Sequence, residues 1–345
     1  MGQNKRLVNI AGFFVLSTSM LASLILSGCG GEAEGGKGGS GGGGESLSLV
    51  AYSTPREAYE EIIRAFEETD AGSGVTVEGS YGGSGEQSRA VEGGLTADVV
   101  AFSLEPDVTR LVKDGLIEQN WNEDEYKGMV TDSVVVLAVR KGNPKRIRDW
   151  DDLTREGIEV ITPNPFTSGG ARWNVMAGYG AQLQQGKSED DGIGYLRQLF
   201  TNVPVQDKSA RESLQTFTGG KGDVLIAYEN EVITAQQNGE DLEYIIPEQT
   251  ILIENPVAVV SDGQYPEQAQ AFVDFLRSSE AQRIYGEKGY RPVVKEILAE
   301  FDYPTPPHLF TIDDLGGWDA VSKKFFDSRN GVMADINREV GAATE

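Results

Sequence analysis

The 345-residue sequence contains one cysteine, Cys29, and one histidine, His308. A lone cysteine rules out an intramolecular disulfide and a cysteine-built metal site. Histidine is the side chain whose ordinary pKa best suits proton transfer near neutrality, and His308 lies in a proline-rich stretch that reads as a loop. Cations are in deficit: 30 Lys and Arg against 54 Asp and Glu leave a formal net charge of −24. Binding nucleic acid depends on clustered cations that neutralise phosphates, so this balance excludes it as a partner. Outside the glycine-rich tract at 30–46 there is no Gly-x-Ser-x-Gly elbow. Nor is there a His-x-x-x-His pair or a Gly-x-x-x-x-Gly-Lys-Ser/Thr phosphate loop. The many carboxylates show no spacing that marks an acid/base pair. No enzyme activity, cofactor or metal is expected.

Long apolar runs are missing after the first thirty residues. Before that, Lys5 and Arg6 precede a mostly apolar run at 7–26, and Leu26-Ser27-Gly28-Cys29 follows. This is the order of a secretory signal peptide, charged then apolar then small. It also resembles a bacterial lipobox, which would make residues 1–28 a lipoprotein signal and Cys29 the lipidated first residue. The alternative is a transmembrane anchor, weakened as a span by Asn9, Gly12 and the serines of its second half. Both place the remainder outside the cytoplasmic membrane, as a lipoprotein on its outer face or in a periplasm. Residues 29–46 are almost all Gly with Glu, Lys and Ser, which cannot bury apolar surface and read as a flexible tether. About 300 residues remain, enough for a large core divided into two lobes.

What is present is an alternation of strands and helices. Apolar runs at 47–52, 75–80 and 97–102 alternate with helical patterns at 56–68, 84–93 and 108–113. That order predicts a mainly parallel sheet with helices on both faces. Further strands are expected at 134–139, 159–162, 224–228 and 252–260, a short helix at 150–154, and a long helix at 266–286. Four turns from strand to helix are rich in small or hydroxyl residues: 53–57, 84–87, 168–171 and 209–212. Thr54 with Glu57, Ser84 with Gln87, and Ser209 with Glu212 read as capping boxes. The most distinctive segment is 164–173, Asn-Pro-Phe-Thr-Ser-Gly-Gly-Ala-Arg-Trp. Its glycines let backbone N–H groups approach a ligand closely, and the following helix turns its positive end toward a negative guest. Such turns lie at the carboxyl ends of strands, where ligands bind in open α/β sheets.

Blocks across nearly the whole globular region resemble the sulfate-binding proteins of ABC-type sulfate importers, type II extracellular solute-binding proteins. They are 52–57, 82–85, 139–144, 161–173, 222–231, 290–292 and 310–313. The resemblance implies a two-lobed periplasmic-binding-protein-like fold, each lobe a mainly parallel sheet flanked by helices, with the ligand in the cleft. It implies lobe 1 at 47–132 plus 253–345 and lobe 2 at 133–252. It further implies that a monomer captures sulfate and passes it to a membrane permease. The matching ligand positions are Ser168 through its hydroxyl, and Gly169, Gly170, Ser84 and Ala210 through backbone N–H groups. Ser53 stands where the family usually has Asp, in a contact made through the backbone. Tyr228 stands where sulfate binders usually place a Trp whose indole N–H donates. That departure leaves thiosulfate, molybdate, tungstate and phosphate open as ligands, with an exported sulfate or phosphate ester hydrolase as a further alternative. Arg172 and Arg211 are expected to tie down helix ends or carboxylates, and Trp173 to belong to the core.

Overall fold

A computed structural model describes residues 45–344. The leader, Cys29 and all but the last two residues of the tether lie outside the described residues. The chain begins with β1 (Glu45–Tyr52), α1 (Arg56–Glu67), β2 (Val75–Gly82), α2 (Ser84–Glu92), β3 (Val99–Ala101) and α3 (Glu105–Lys113). A long strand β4 (Met129–Arg140) leads through a 3-10 turn, Trp150–Thr154, to β5 (Val160–Ile161) and α4 (Gly169–Gln184). Then come α5 (Glu189–Thr201), α6 (Ala210–Thr218), β6 (Val224–Tyr228), α7 (Glu229–Gln237), β7 (Leu242–Ile245) and a second long strand, β8 (Gln249–Val259). The remainder holds α8 (Pro266–Leu276), α9 (Ser279–Glu287), β9 (Arg291–Pro292), α10 (Lys295–Leu298), β10 (His308–Phe310), α11 (Gly317–Phe325) and α12 (Val332–Val340). The single helix expected at 266–286 is two, because Ser278 caps a new one by accepting from Ala281 N.

The main path of the sheet runs β2-β1-β3-β8-β4-β6-β5. It is mixed rather than mainly parallel. β1 pairs parallel with β2 and β3, and β5 with β6, as strand–helix–strand units require. Every junction among β3, β8, β4 and β6 is antiparallel. The long strands make this possible by changing partner midway. β4 pairs with β8 up to Val134 and with β6 from Val135, and β8 leaves β4 to pair with β3 from Val257. β4 and β8 therefore carry the chain from one half of the sheet to the other. The fold is α/β, a mixed sheet with flanking helices.

Strand alternation decides which face each side chain joins. In β4, Val135, Leu137 and Val139 enter one apolar cluster with Trp150, Trp173 and Leu196. Val134, Val136 and Ala138 enter another with Phe217 and Leu225. β1 divides likewise: Leu47, Leu49 and Ala51 pack with Tyr59, Phe66 and Phe272, while Val50 packs with Phe102 and Leu111. The C-terminal segment joins the cluster of Trp173, through Phe310, Trp318, Phe325 and Ile336. Trp318 stacks edge-on against Trp173 there, centroids 4.7 Å apart. Among the described residues no helix is long and apolar enough to cross a membrane.

Candidate oxyanion-binding site

Six of the seven expected ligand positions meet at one cavity. Ser53, Ser84, Ser168, Gly169, Gly170 and Ala210 line it, with Tyr52, Thr54, Gly82, Gly83 and Ser103. The cavity is small, its walls drawn close together. Every lining side chain is neutral at pH 7.

Each wall is the start of a helix or the end of a strand. Ser84 opens α2, Gly169 and Gly170 open α4, and Ala210 opens α6. The first amides of a helix have no acceptor within it, so these N–H groups are available to a guest, and the helix dipole adds positive potential. Ser168 caps α4: its Oγ accepts from Ala171 N at 3.3 Å, which leaves its hydroxyl proton free to donate elsewhere. Ser84 differs. Its Oγ donates to Asp107 Oδ2 at 2.7 Å and accepts from Ser103 N at 3.0 Å, so only its backbone remains for a ligand.

The loops also hold one another. Thr167 Oγ1 donates to Lys208 O at 2.7 Å, and Glu86 N donates to Thr167 O at 3.3 Å. A Cβ on Gly83 would meet Thr167 O at 2.7 Å and Lys208 O at 2.9 Å, so only glycine allows the β2–α2 turn this close. Arg211 donates to Ser53 O at 3.3 Å and Thr54 O at 3.5 Å and pairs with Glu57 at 3.1 Å. Arg172 donates through Nε to Pro165 O at 2.9 Å. Both arginines position loops and neither lines the cavity. Trp173 is fully buried, as expected of core, and its Nε1 donates to Ser103 O at 2.7 Å.

Behind Thr54 stands Glu231, which caps α7 by accepting from Tyr228 N at 3.4 Å and accepts from Thr54 Oγ1 at 3.2 Å. Burial pushes its carboxyl up to about 7, against the opposing pull of Arg211. Tyr228 does not line the cavity. Its ring stands behind Gly170, where Cε1 lies 3.5 Å from the position a Cβ would take. Burial drives its phenol well above the ordinary range, with Ser103 and Asn255 pulling the other way, so it stays protonated. Ser103 was not singled out from the sequence, and Thr54 and Tyr52 entered only as a helix cap and as part of a matching block, not as ligand positions. The available signal was a hydroxyl just past the apolar run 97–102. Among the described residues no group of His, Cys, Asp and Glu is arranged to hold a metal ion.

A family model described as bacterial extracellular solute-binding protein matches residues 47–291, and the chain belongs to that family. The chain is 42% identical to a sulfate-binding protein of Synechococcus elongatus over 330 residues, covering 91% of this chain and 93% of the relative. It is 34% identical to a thiosulfate-binding protein of Pseudomonas aeruginosa, covering 84% and 91%. Among solved structures it resembles the sulfate-binding protein SubI of Mycobacterium tuberculosis at 45% identity. That match has a TM-score of 0.80 and covers 82% of this chain and all of the other.

Proposed function

We propose that this protein captures sulfate outside the cytoplasmic membrane and delivers it to the permease of an ABC importer. The observation that carries the reading is the meeting of helix-start amides from α2, α4 and α6 with the Ser168 hydroxyl at one small neutral cavity. The ligand groups are Ser53, Ser84, Gly169, Gly170 and Ala210 through backbone N–H and Ser168 through its hydroxyl. Tyr228 contributes from behind Gly170. Relatives that bear sulfate-binding names over most of both chains support the choice of guest. The cleft divides two lobes that β4 and β8 connect, the second including the C-terminal segment from about 305 onward. The protein works as a monomer, without catalysis, held at the outer face of the membrane by lipid on Cys29. Replacing Cys29 by Ala should then release it from the membrane fraction.

A wall of donors discriminates by protonation. Sulfate is a full acceptor at pH 7, whereas phosphate keeps a proton that needs an acceptor, a buried mismatch costing about 1–3 kcal/mol. Calorimetry of the purified protein should show one sulfate per chain, with phosphate failing to compete. Phosphate displacing sulfate at similar concentration refutes this reading. Thiosulfate is the guest to compare directly, because Tyr228 departs from the usual Trp and a thiosulfate-binding protein is among the relatives.

A further inference from the structure

Two hydroxyls at the back of the cavity, Ser103 Oγ and Tyr228 Oη, have no hydrogen-bond partner among the described residues. Both residues are buried, and buried polar groups in native proteins are nearly always paired, so each orphan calls for a cause. Ser103 has no freedom to escape its position. Its N–H donates to Ser84 Oγ at 3.0 Å, and its carbonyl accepts from Trp173 Nε1 at 2.7 Å and Asn255 Nδ2 at 3.0 Å. Side chains from α2, α4 and β8 thus clamp its backbone. Its hydroxyl is pressed so closely against Gly169 that a Cβ there would collide with it. Ser103 lines the cavity and Tyr228 does not, yet the two pack on adjacent glycines, Ser103 Oγ against Gly169 and the Tyr228 ring against Gly170.

We propose that Ser103 Oγ is a further ligand group that donates to an oxygen of the bound anion, and that Tyr228 selects the guest by acting through it. When the anion enters, the phenol turns to donate to Ser103 Oγ, which sets the serine proton toward the cavity. A serine hydroxyl alone can donate or accept. Held as a donor by Tyr228, it meets the bare oxygens of sulfate and refuses the proton of hydrogen phosphate. Ser103 is therefore a binding residue and Tyr228 a positioning residue. The pair rests on the sulfate reading above and adds what decides which oxyanions are turned away.

The test is calorimetry of the full chain and of Ser103→Ala, Tyr228→Phe and the double variant, with sulfate and with inorganic phosphate. Ser103→Ala should weaken sulfate by about 2- to 10-fold, the range of one hydrogen bond. Its phosphate-to-sulfate Kd ratio should fall as well, because the donor that refuses the phosphate proton is gone. Tyr228→Phe should lower that ratio by about 5-fold, because the freed serine can now accept a proton. The double variant should match Ser103→Ala alone, since Tyr228 has nothing left to act through. Packing damage would weaken both anions together and leave the ratio fixed. Sulfate affinity unchanged in Ser103→Ala overturns the proposal even if Tyr228→Phe fails to fold, as does an unmoved ratio in a folded Tyr228→Phe. A wild type that ignores sulfate defeats the parent reading as well; one that binds sulfate while the variants behave otherwise defeats this proposal alone.

Discussion

Gly169 and Gly170 are neighbours in sequence with unequal tolerance for a side chain. A Cβ on Gly169 would collide with Ser103 Oγ and approach Leu104 and Ser84 within 3.1 Å, all of them buried. At Gly170 the nearest atoms are at 3.4–3.5 Å, an ordinary contact. Gly169→Ala should therefore lower stability by about 1–3 kcal/mol, the usual cost of overpacking, and impair anion binding by shifting its own amide. Gly170→Ala should fold normally. Urea denaturation and calorimetry of the two variants check this, and equal losses at both positions would count against the reading. At this scale the Ser168-Gly169-Gly170 turn could be read from sequence, because glycine before a helix has a direct physical meaning. Ser103 offered only a hydroxyl after an apolar run, because its importance comes from Trp173 and Asn255, 70 and 152 positions away.

Helices and strands were legible where periodicity is strong and less so where tertiary partners compete for a side chain. Strand β6 stands as expected, and α4 follows the 168–171 turn with Ser168 as its cap. Two capping boxes do not form. Thr54 and Ser84 are rich enough in local acceptors to suggest them, but Thr54 Oγ1 donates to Glu231 and Ser84 Oγ to Asp107. At the third, Ser209 does accept from Glu212 N, while the Glu212 carboxylate accepts from Lys208 N instead of completing the box. The loops that begin α1 and α2 thus spend their hydroxyls on distant carboxylates rather than on their own helices. The antiparallel core of the sheet was also hidden, because a partner change within β4 or β8 leaves no mark on its apolar pattern.

For the whole molecule, Glu231 links stability to pH. Its carboxyl is raised from an ordinary value near 4.3 to about 7, so the native state holds its proton where the unfolded chain has lost it. Unfolding then releases a proton, and rising pH favours it. This contribution is full below about pH 4.5 and fades as pH passes 7. The unfolding free energy from urea titration should fall between pH 5 and pH 8, by up to about 3 kcal/mol from this group. Glu231→Gln should flatten the slope, and a slope identical in the variant would assign it to other carboxyls. The contact of Gly83 with the carbonyls of Thr167 and Lys208 bears instead on time. That turn closes one side of the cavity, so a guest leaving past it should have a dwell time that depends on how often the loops part. Gly83→Ala, which wedges the turn ajar, should raise both the capture and escape rate constants in stopped-flow measurements. Release by this route needs the loops to part, not the amides to weaken.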